Sequence, residues 1–173
     1  MAKHAPSGFT SEGGERKADG GFAPTSAFGK VNRYIKERNR QYSVSEPFAR
    51  AHGYTLSELL VLIALHYDRD GYASDGCTQK SIVERENLTK QTVSSIIQSF
   101  LKRGFVTVET NPADRRAKLV LLTDKGRATT KPVVDGYVRR WNGAVSGLSD
   151  DEYEKLMRGM TDLADRIERA FSE

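Results

Sequence analysis

The sequence predicts a mainly α-helical chain carrying one small β-hairpin. Three observations lead there. Apolar residues recur at helical spacing along most of the chain from Phe28 on, the period changes to two only around residues 105–123, and Thr or Ser caps open several of the helical stretches. The chain has 173 residues, room for one ordinary domain. Its longest apolar run, Leu59 to Leu65, is seven residues, far short of the roughly 20 that a membrane span requires.

Residues 1–27 are rich in Gly, Ser, Ala and Pro without an apolar period, and read as a flexible arm. No apolar stretch suggests a secretory signal there, so a cytoplasmic location is expected. Phe28, Val31, Ile35 and Tyr42 then share one face of an amphipathic helix, which Pro47 is expected to bend or interrupt before Gly53 ends it. Thr55 and Glu58 form a capping box that opens a helix with Leu56, Leu59, Leu60, Ile63 and Tyr67 on one stripe, stopped by Asp70-Gly71. Apolar around most of its circumference, it is expected to be the most buried helix. Thr78 caps a short helix to about Glu86 with Ile82 and Val83 inward, and Thr89 caps the next after a break at Asn87-Leu88. In that next helix Val93, Ile96, Ile97, Phe100 and Leu101 form an uninterrupted stripe, and Lys102-Arg103 followed by Gly104 supplies a basic last turn and a glycine stop.

Phe105 to Glu109 and Leu119 to Thr123 then read as two short strands around a polar, basic loop, Asn111 to Ala117. Val134, Tyr137, Val138, Trp141 and Val145 define a further helix, entered past an expected kink at Pro132 and closed by Gly147. Ser149 and Glu152 form a second capping box, ahead of a last helix with Tyr153, Leu156, Met157, Met160, Leu163, Ile167 and Phe171 on one seam.

Two short helices across a tight break, followed at once by a hairpin with a basic tip, is the plan of a winged helix-turn-helix. Charge agrees. The net charge is +4, and residues 77–126 alone, with nine cations and five anions, hold an excess of that size. A basic centre between near-neutral flanks suits a polyanion, although a solvated charged surface has the same composition. In the helix after the break, Val93 points inward while Lys90, Gln91, Thr92, Ser94 and Ser95 lie at or near its start. Such side chains suit base edges and phosphates in the major groove, with Gln able to pair with adenine. At the hairpin tip Arg115 and Arg116 offer guanidinium groups to a narrow minor groove, and Asp114 can hold a neighbouring arginine in a fixed fork.

The stretch from Asn111 to Gly126, NPADRRAKLVLLTDKG, resembles the wing signature of the MarR regulators, an Asp-x-Arg followed by Leu-x-Leu-Thr and a glycine. Asp114, Arg116, Leu122-Thr123 and Gly126 match it. The segments from Thr78 (TQKSIVE), Thr89 (TKQTVSS) and Pro47 (PFARAHGYT) are similar to that family's helix-turn-helix and to the junction before it, so the resemblance covers about residues 28–172. It implies a homodimer with interlocked terminal helices, each winged unit reading half of a pseudo-palindrome on double-stranded DNA. Residues 28–54 and 127–173 would dimerise and residues 55–126 would bind DNA. Arg116 would enter the minor groove, steadied by Asp114, and Thr78, Gln79, Lys80, Thr89, Lys90, Gln91, Thr92, Ser94, Ser95, Arg115 and Lys118 would complete the DNA-contacting set. The apolar stripes around Phe28, Trp141 and Met160 hold more surface than one small winged domain can cover, and independently call for a partner, in another chain or folded back on this one.

The resemblance also implies a transcriptional regulator, often a repressor released by a small aromatic ligand held between the dimerisation helices and the DNA-binding domain. Tyr34, His66, Tyr67, Tyr137 and Trp141 are the candidates, though core packing is the plainer reading of each. Cys77, the only cysteine, lies at a helix start where a thiolate is activated, but it has no resolving partner. His4, His52 and His66 lack metal-ligand spacing, and no phosphate loop, nucleophile triad or framed carboxylate pair is present. Neither an enzyme nor a cofactor is expected. The competing class is a winged helix used only to bind protein, which requires an apolar patch on the recognition helix.

Overall fold

The computed structural model describes residues 27–67, 75–111 and 116–172. The expected arm, the Asp70-Gly71 stop, and Asp114 and Arg115 lie outside these. The chain divides into two compact units, Met1–Pro47 and Phe48–Glu173.

In the first unit, helix α1 spans Ala27–Ser43 and is exposed from Phe28 onward except at Gly29. Helix α2, Ser45–Ala51, follows at once. The expected interruption therefore falls at Val44, and Pro47 sits in the first turn of α2. A missing N–H costs nothing there, because first-turn amides have no intrahelical acceptor. The end of α2 turns back on itself, with Gly53 at φ +81° and the Tyr54 amide donating to the Ala49 carbonyl at 3.0 Å.

The second unit is built around α3, Leu56–His66, where Leu59, Val61, Leu62, Ala64 and Leu65 are all buried. The capping box forms as the spacing predicts: Thr55 N donates to Glu58 Oε2 at 2.8 Å and Glu58 N to Thr55 Oγ1 at 3.2 Å. Around α3 pack α4 (Gln79–Glu86), α5 (Lys90–Arg103) and α6 (Asp124–Val145). Thr78 and Thr89 cap α4 and α5, and Asn87 closes α4 in the left-handed region, φ 50°, which its short amide side chain tolerates. Ile82, Val93, Ile97 and Phe100 are fully enclosed. Each such side chain contributes roughly 1.5–3 kcal/mol relative to exposure.

The sheet has three strands, one more than the sequence shows. Strand β1 is only Cys77–Thr78, β2 is Val106–Thr110 and β3 is Lys118–Leu122, in the order β1-β3-β2, all antiparallel. Cys77 faces Val120 and Thr78 faces Leu119, while Val108 also opposes Val120 across the hairpin. Thr123, expected to end the second strand, instead caps α6. That helix runs through Pro132 as one element to Val145, with Ser146 rather than Gly147 as its C-cap. Helix α7, Asp150–Ser172, is opened by the predicted Ser149–Glu152 capping box. All its described residues are exposed, including the whole apolar seam.

Candidate nucleic-acid interface

Helix α5 is divided lengthwise by burial. Val93, Ile96, Ile97 and Phe100 face the core, and Lys90, Gln91, Ser95 and Gln98 face outward. None of its large apolar side chains is exposed, so it offers no patch for a purely protein-binding winged helix. At the helix start Thr89 satisfies one orphan backbone donor: its Oγ1 accepts from Thr92 N at 3.1 Å, and it also lies 2.8 Å from the Thr92 hydroxyl. The Thr92 hydroxyl is thereby engaged in capping, which leaves Lys90, Gln91, Ser94 and Ser95 as the more available predicted contacts. Gln91, Thr92 and Ser95 line an open cleft with Thr55, Ser57 and Glu58 from the start of α3.

Thr78, Gln79 and Lys80 open α4. Thr78 Oγ1 accepts from Ser81 N at 3.1 Å, and Lys80 approaches Glu84 at 3.8 Å on an exposed surface. At the wing, Arg116 is exposed just before β3, and Lys118 Nζ donates to Thr110 Oγ1 at 2.9 Å across the hairpin. Asn111 N donates to Ala117 O at 3.1 Å, extending the ladder toward the tip.

The wing is anchored at its base by Thr123. Its N–H donates to Phe105 O at 2.9 Å, its hydroxyl donates to Gly104 O at 2.7 Å, and its Oγ1 accepts from Gly126 N at 2.9 Å. Gly104, at φ +69°, ends α5 in the left-handed conformation that lets the strand begin two residues later, at Val106. The Thr and Gly of the wing signature thus join recognition helix, hairpin and α6 at one point.

The ligand candidates are dispersed. Tyr34 lies on α1 in the first unit, with the Arg38 guanidinium 5.8 Å from its ring centre. Tyr137 is 5.5 Å from Phe48 and 6.3 Å from the half-exposed Trp141 between ring centres. Tyr67 donates to Asp135 Oδ1 at 2.6 Å, and Lys131 reaches both oxygens of that carboxylate at 2.9 and 2.8 Å. These partners hold Asp135 below the usual carboxylate range and push the Tyr67 phenol up.

His66 is 3% exposed and its Nε2 lies 2.7 Å from Thr130 Oγ1. The Thr130 hydroxyl donates to Gly126 O at 2.8 Å, so its one proton is used and it accepts from His66 Nε2–H, which fixes the neutral tautomer. Burial, then repulsion from Arg127 and Lys131, lowers the His66 pKa to about 4 against the opposing pull of Asp135. The unfolded chain therefore binds a proton between pH 6.5 and about 4 that the folded chain refuses. Acidification through that window should cost stability on the order of 3 kcal/mol. In H66Q, denaturant midpoints measured from pH 7 to 4 should fall less steeply; an unchanged slope would assign the acid sensitivity to other groups.

Cys77 lies in β1, ahead of α4, and is not the activated thiol that a helix start can create. Burial pushes its pKa up to about 11, and Sγ lies 3.7 Å from Ala64 O. Among the described residues, no group of three or more His, Cys, Asp or Glu side chains could hold a metal ion, and no helix is long and apolar enough to cross a membrane.

The sequence shows Glu58 only as half of a capping box and Arg103 only as part of a basic last turn, and gives no sign that they meet Tyr54 at the end of the recognition helix. The Arg103 guanidinium lies 4.4 Å from the Phe105 ring centre and 5.2 Å from that of Tyr54, with Nη1 3.9 Å from Glu58 Oε1. A basic residue in a last turn announces only a dipole contact, and nothing in its spacing reveals aromatic partners in other elements.

A polar-faced helix seated behind a short capped helix and beside a basic-rooted hairpin defines a winged helix-turn-helix DNA-binding protein. The MarR family model matches residues 52–117. The HTH-type transcriptional repressor YetL of Bacillus subtilis is 23% identical over 124 residues, which cover 72% of each chain. YkoM of the same species, an uncharacterized HTH-type transcriptional regulator, is 31% identical over 118 residues, 66% of this chain and 73% of the relative. In fold, the chain is similar to NMB1585, a MarR family regulator from Neisseria meningitidis, with a TM-score of 0.70 and 24% identity over 83% of this chain and 97% of that one. The chain belongs to the MarR family of transcriptional regulators. Membership makes it a DNA-binding regulator and not an enzyme.

Proposed function

We propose that this regulator binds a pseudo-palindromic operator as a homodimer and represses transcription from it. The observation that carries this reading is the division of α5 into a buried apolar face and an outward face of Lys90, Gln91 and Ser95, beside a hairpin whose return strand is preceded by exposed Arg116. Lys90, Gln91, Ser94 and Ser95 read the major groove, and Arg116 enters the minor groove with Asp114 steadying it. Thr78, Gln79, Lys80, Arg115 and Lys118 approach the phosphates. Dimerisation through residues 28–54 and 127–173 is supported by the exposed seam of α7 and the exposed Phe28, Val31 and Ile35 of α1. Repression follows the sense of YetL's name. Release by a small aromatic ligand is proposed at Tyr137 and Trp141, whose rings meet edge to face while Trp141 stays 40% exposed.

The test uses duplexes that the protein itself selects from a random-sequence pool. Raising salt from ~50 to ~200 mM should weaken binding by orders of magnitude as counterions are retained on the DNA. Arg116→Ala should abolish most of the preference for the selected duplex while unfolding and oligomeric mass stay unchanged; wild-type binding would remove the wing from the mechanism. Gln91→Ala should relax the choice at one base pair per half-site by ~1–3 kcal/mol. An unaltered selection profile would return Gln91 to solvent.

A further inference from the structure

We propose that Arg103 is a positioning residue for DNA reading, one that locks the recognition helix to the wing base and to the start of α3. This rests on the recognition-helix and wing reading above and assigns Arg103 no contact with DNA. A single residue, Gly104, separates the end of α5 from Phe105 and the hairpin, with Gly104 N donating to Leu101 O at 3.0 Å and Phe105 N to Phe100 O at 2.9 Å. Backbone hydrogen bonds fix the turn and, through Thr123 and the β1–β3 pairing, the root of the hairpin; side chains packed over the turn add a further constraint on the pitch of helix against hairpin.

Arg103 supplies that constraint. Its guanidinium faces three rings from three places in the fold: Phe105 at 4.4 Å, Tyr54 at 5.2 Å and Phe100 at 5.7 Å to the ring centres. The rings are fixed themselves, being 6%, 7% and 0% exposed as residues. A fourth side comes from Glu58, whose Oε1 is 3.9 Å from Nη1 while Oε2 is held by Thr55 N and Oγ1 at 2.8 and 3.2 Å. The Arg103 carbonyl accepts from Lys125 Nζ at 2.8 Å, which ties in the first turn of α6. A planar guanidinium stacks on ring faces and keeps its edge donors for a carboxylate. A lysine ammonium supplies only a compact point charge, so Lys at 103 is not a conservative replacement.

The experiment compares wild type, R103K, R103Q, R116A and the double variant R103K/R116A. Each is measured on the wild-type-selected duplex, on a scrambled duplex, at several salt concentrations, and in thermal unfolding. R103K and R103Q should each lose roughly tenfold in affinity for the selected duplex. Scrambled-duplex binding and the salt slope should stay at wild-type values, and R103K should remain folded at the assay temperature. R103K and R116A should be coupled, the double variant losing less than the product of the two single losses, because a wing already misplaced gains little from its arginine. Wild-type selectivity in R103K overturns the proposal. So does a salt slope lowered by about one in R103Q, which would mark a direct phosphate contact. Full additivity with an R116A variant that is itself impaired overturns the clamp and leaves the wing reading intact, whereas a silent R116A removes the wing reading and the clamp with it.

Discussion

Gly126→Ala is expected to destabilise the protein by about 3 kcal/mol or more. A Cβ at this position would lie 1.9 Å from the Phe105 carbonyl oxygen, 2.7 Å from its carbon and 2.9 Å from Phe105 Cα. All three atoms are backbone, so no rotamer change relieves the collision. Helix propensity alone predicts the opposite sign, since Ala exceeds Gly by roughly 1 kcal/mol inside a helix, and the experiment therefore separates the two effects cleanly. Either α6 or the hairpin must retreat, breaking some of the bonds that converge on Thr123. Urea unfolding should show a lower midpoint at unchanged slope, with duplex binding falling as the wing loses its seat. A midpoint at or above wild type would mean that α6 does not abut Phe105.

Introducing an acid into the α7 seam, Leu163→Asp, is expected to convert a dimer into a monomer and to lower duplex affinity at least 10²-fold as two tethered half-site contacts become independent. Leu156, Met160, Leu163 and Ile167 recur four, three and four residues apart. They are 50%, 53%, 38% and 39% exposed in the single chain. Such a row is costly in water, and burying one side chain of this size is worth roughly 1.5–3 kcal/mol. A buried aspartate in the same place would go unpaired. Sedimentation should report half the mass, while the unfolding of the core around α3 persists. Unchanged mass and binding would move the dimer interface elsewhere.

The helices were legible because each signal came from a separate physical source. Stripes at Val93, Ile96, Ile97 and Phe100 predicted burial, and Thr55, Thr78, Thr89 and Ser149 predicted starts that the hydrogen bonds bear out. Strand β1 was not legible. Two residues carry no period, and Cys77 and Thr78 are only half-buried; pairing with β3, not local preference, makes them a strand. Thr123 was misread because its β-branched side chain suits a strand end and a helix cap equally, and only the Gly104 and Gly126 partners decide between them. Pro47 was read as a breaker, although proline is tolerated in a first turn. At the interface, outward polarity along α5 could be read from spacing. The capture of the Thr92 hydroxyl by Thr89, and the gathering of rings and a carboxylate around Arg103, depend on distances between elements that spacing does not encode.

The ladder between Cys77–Thr78 and Val120–Leu119 has a consequence for how this architecture can vary. Thr78 is at once the last strand residue and the cap of α4, so sliding the hairpin by one position would pull that helix start out of register and turn Val120 from core to solvent. Insertions or deletions that lengthen or shorten the protrusion are accommodated only beyond the paired rungs, between Thr110 and Lys118. Loop length can thus vary while the seat of the hairpin on the helices stays fixed.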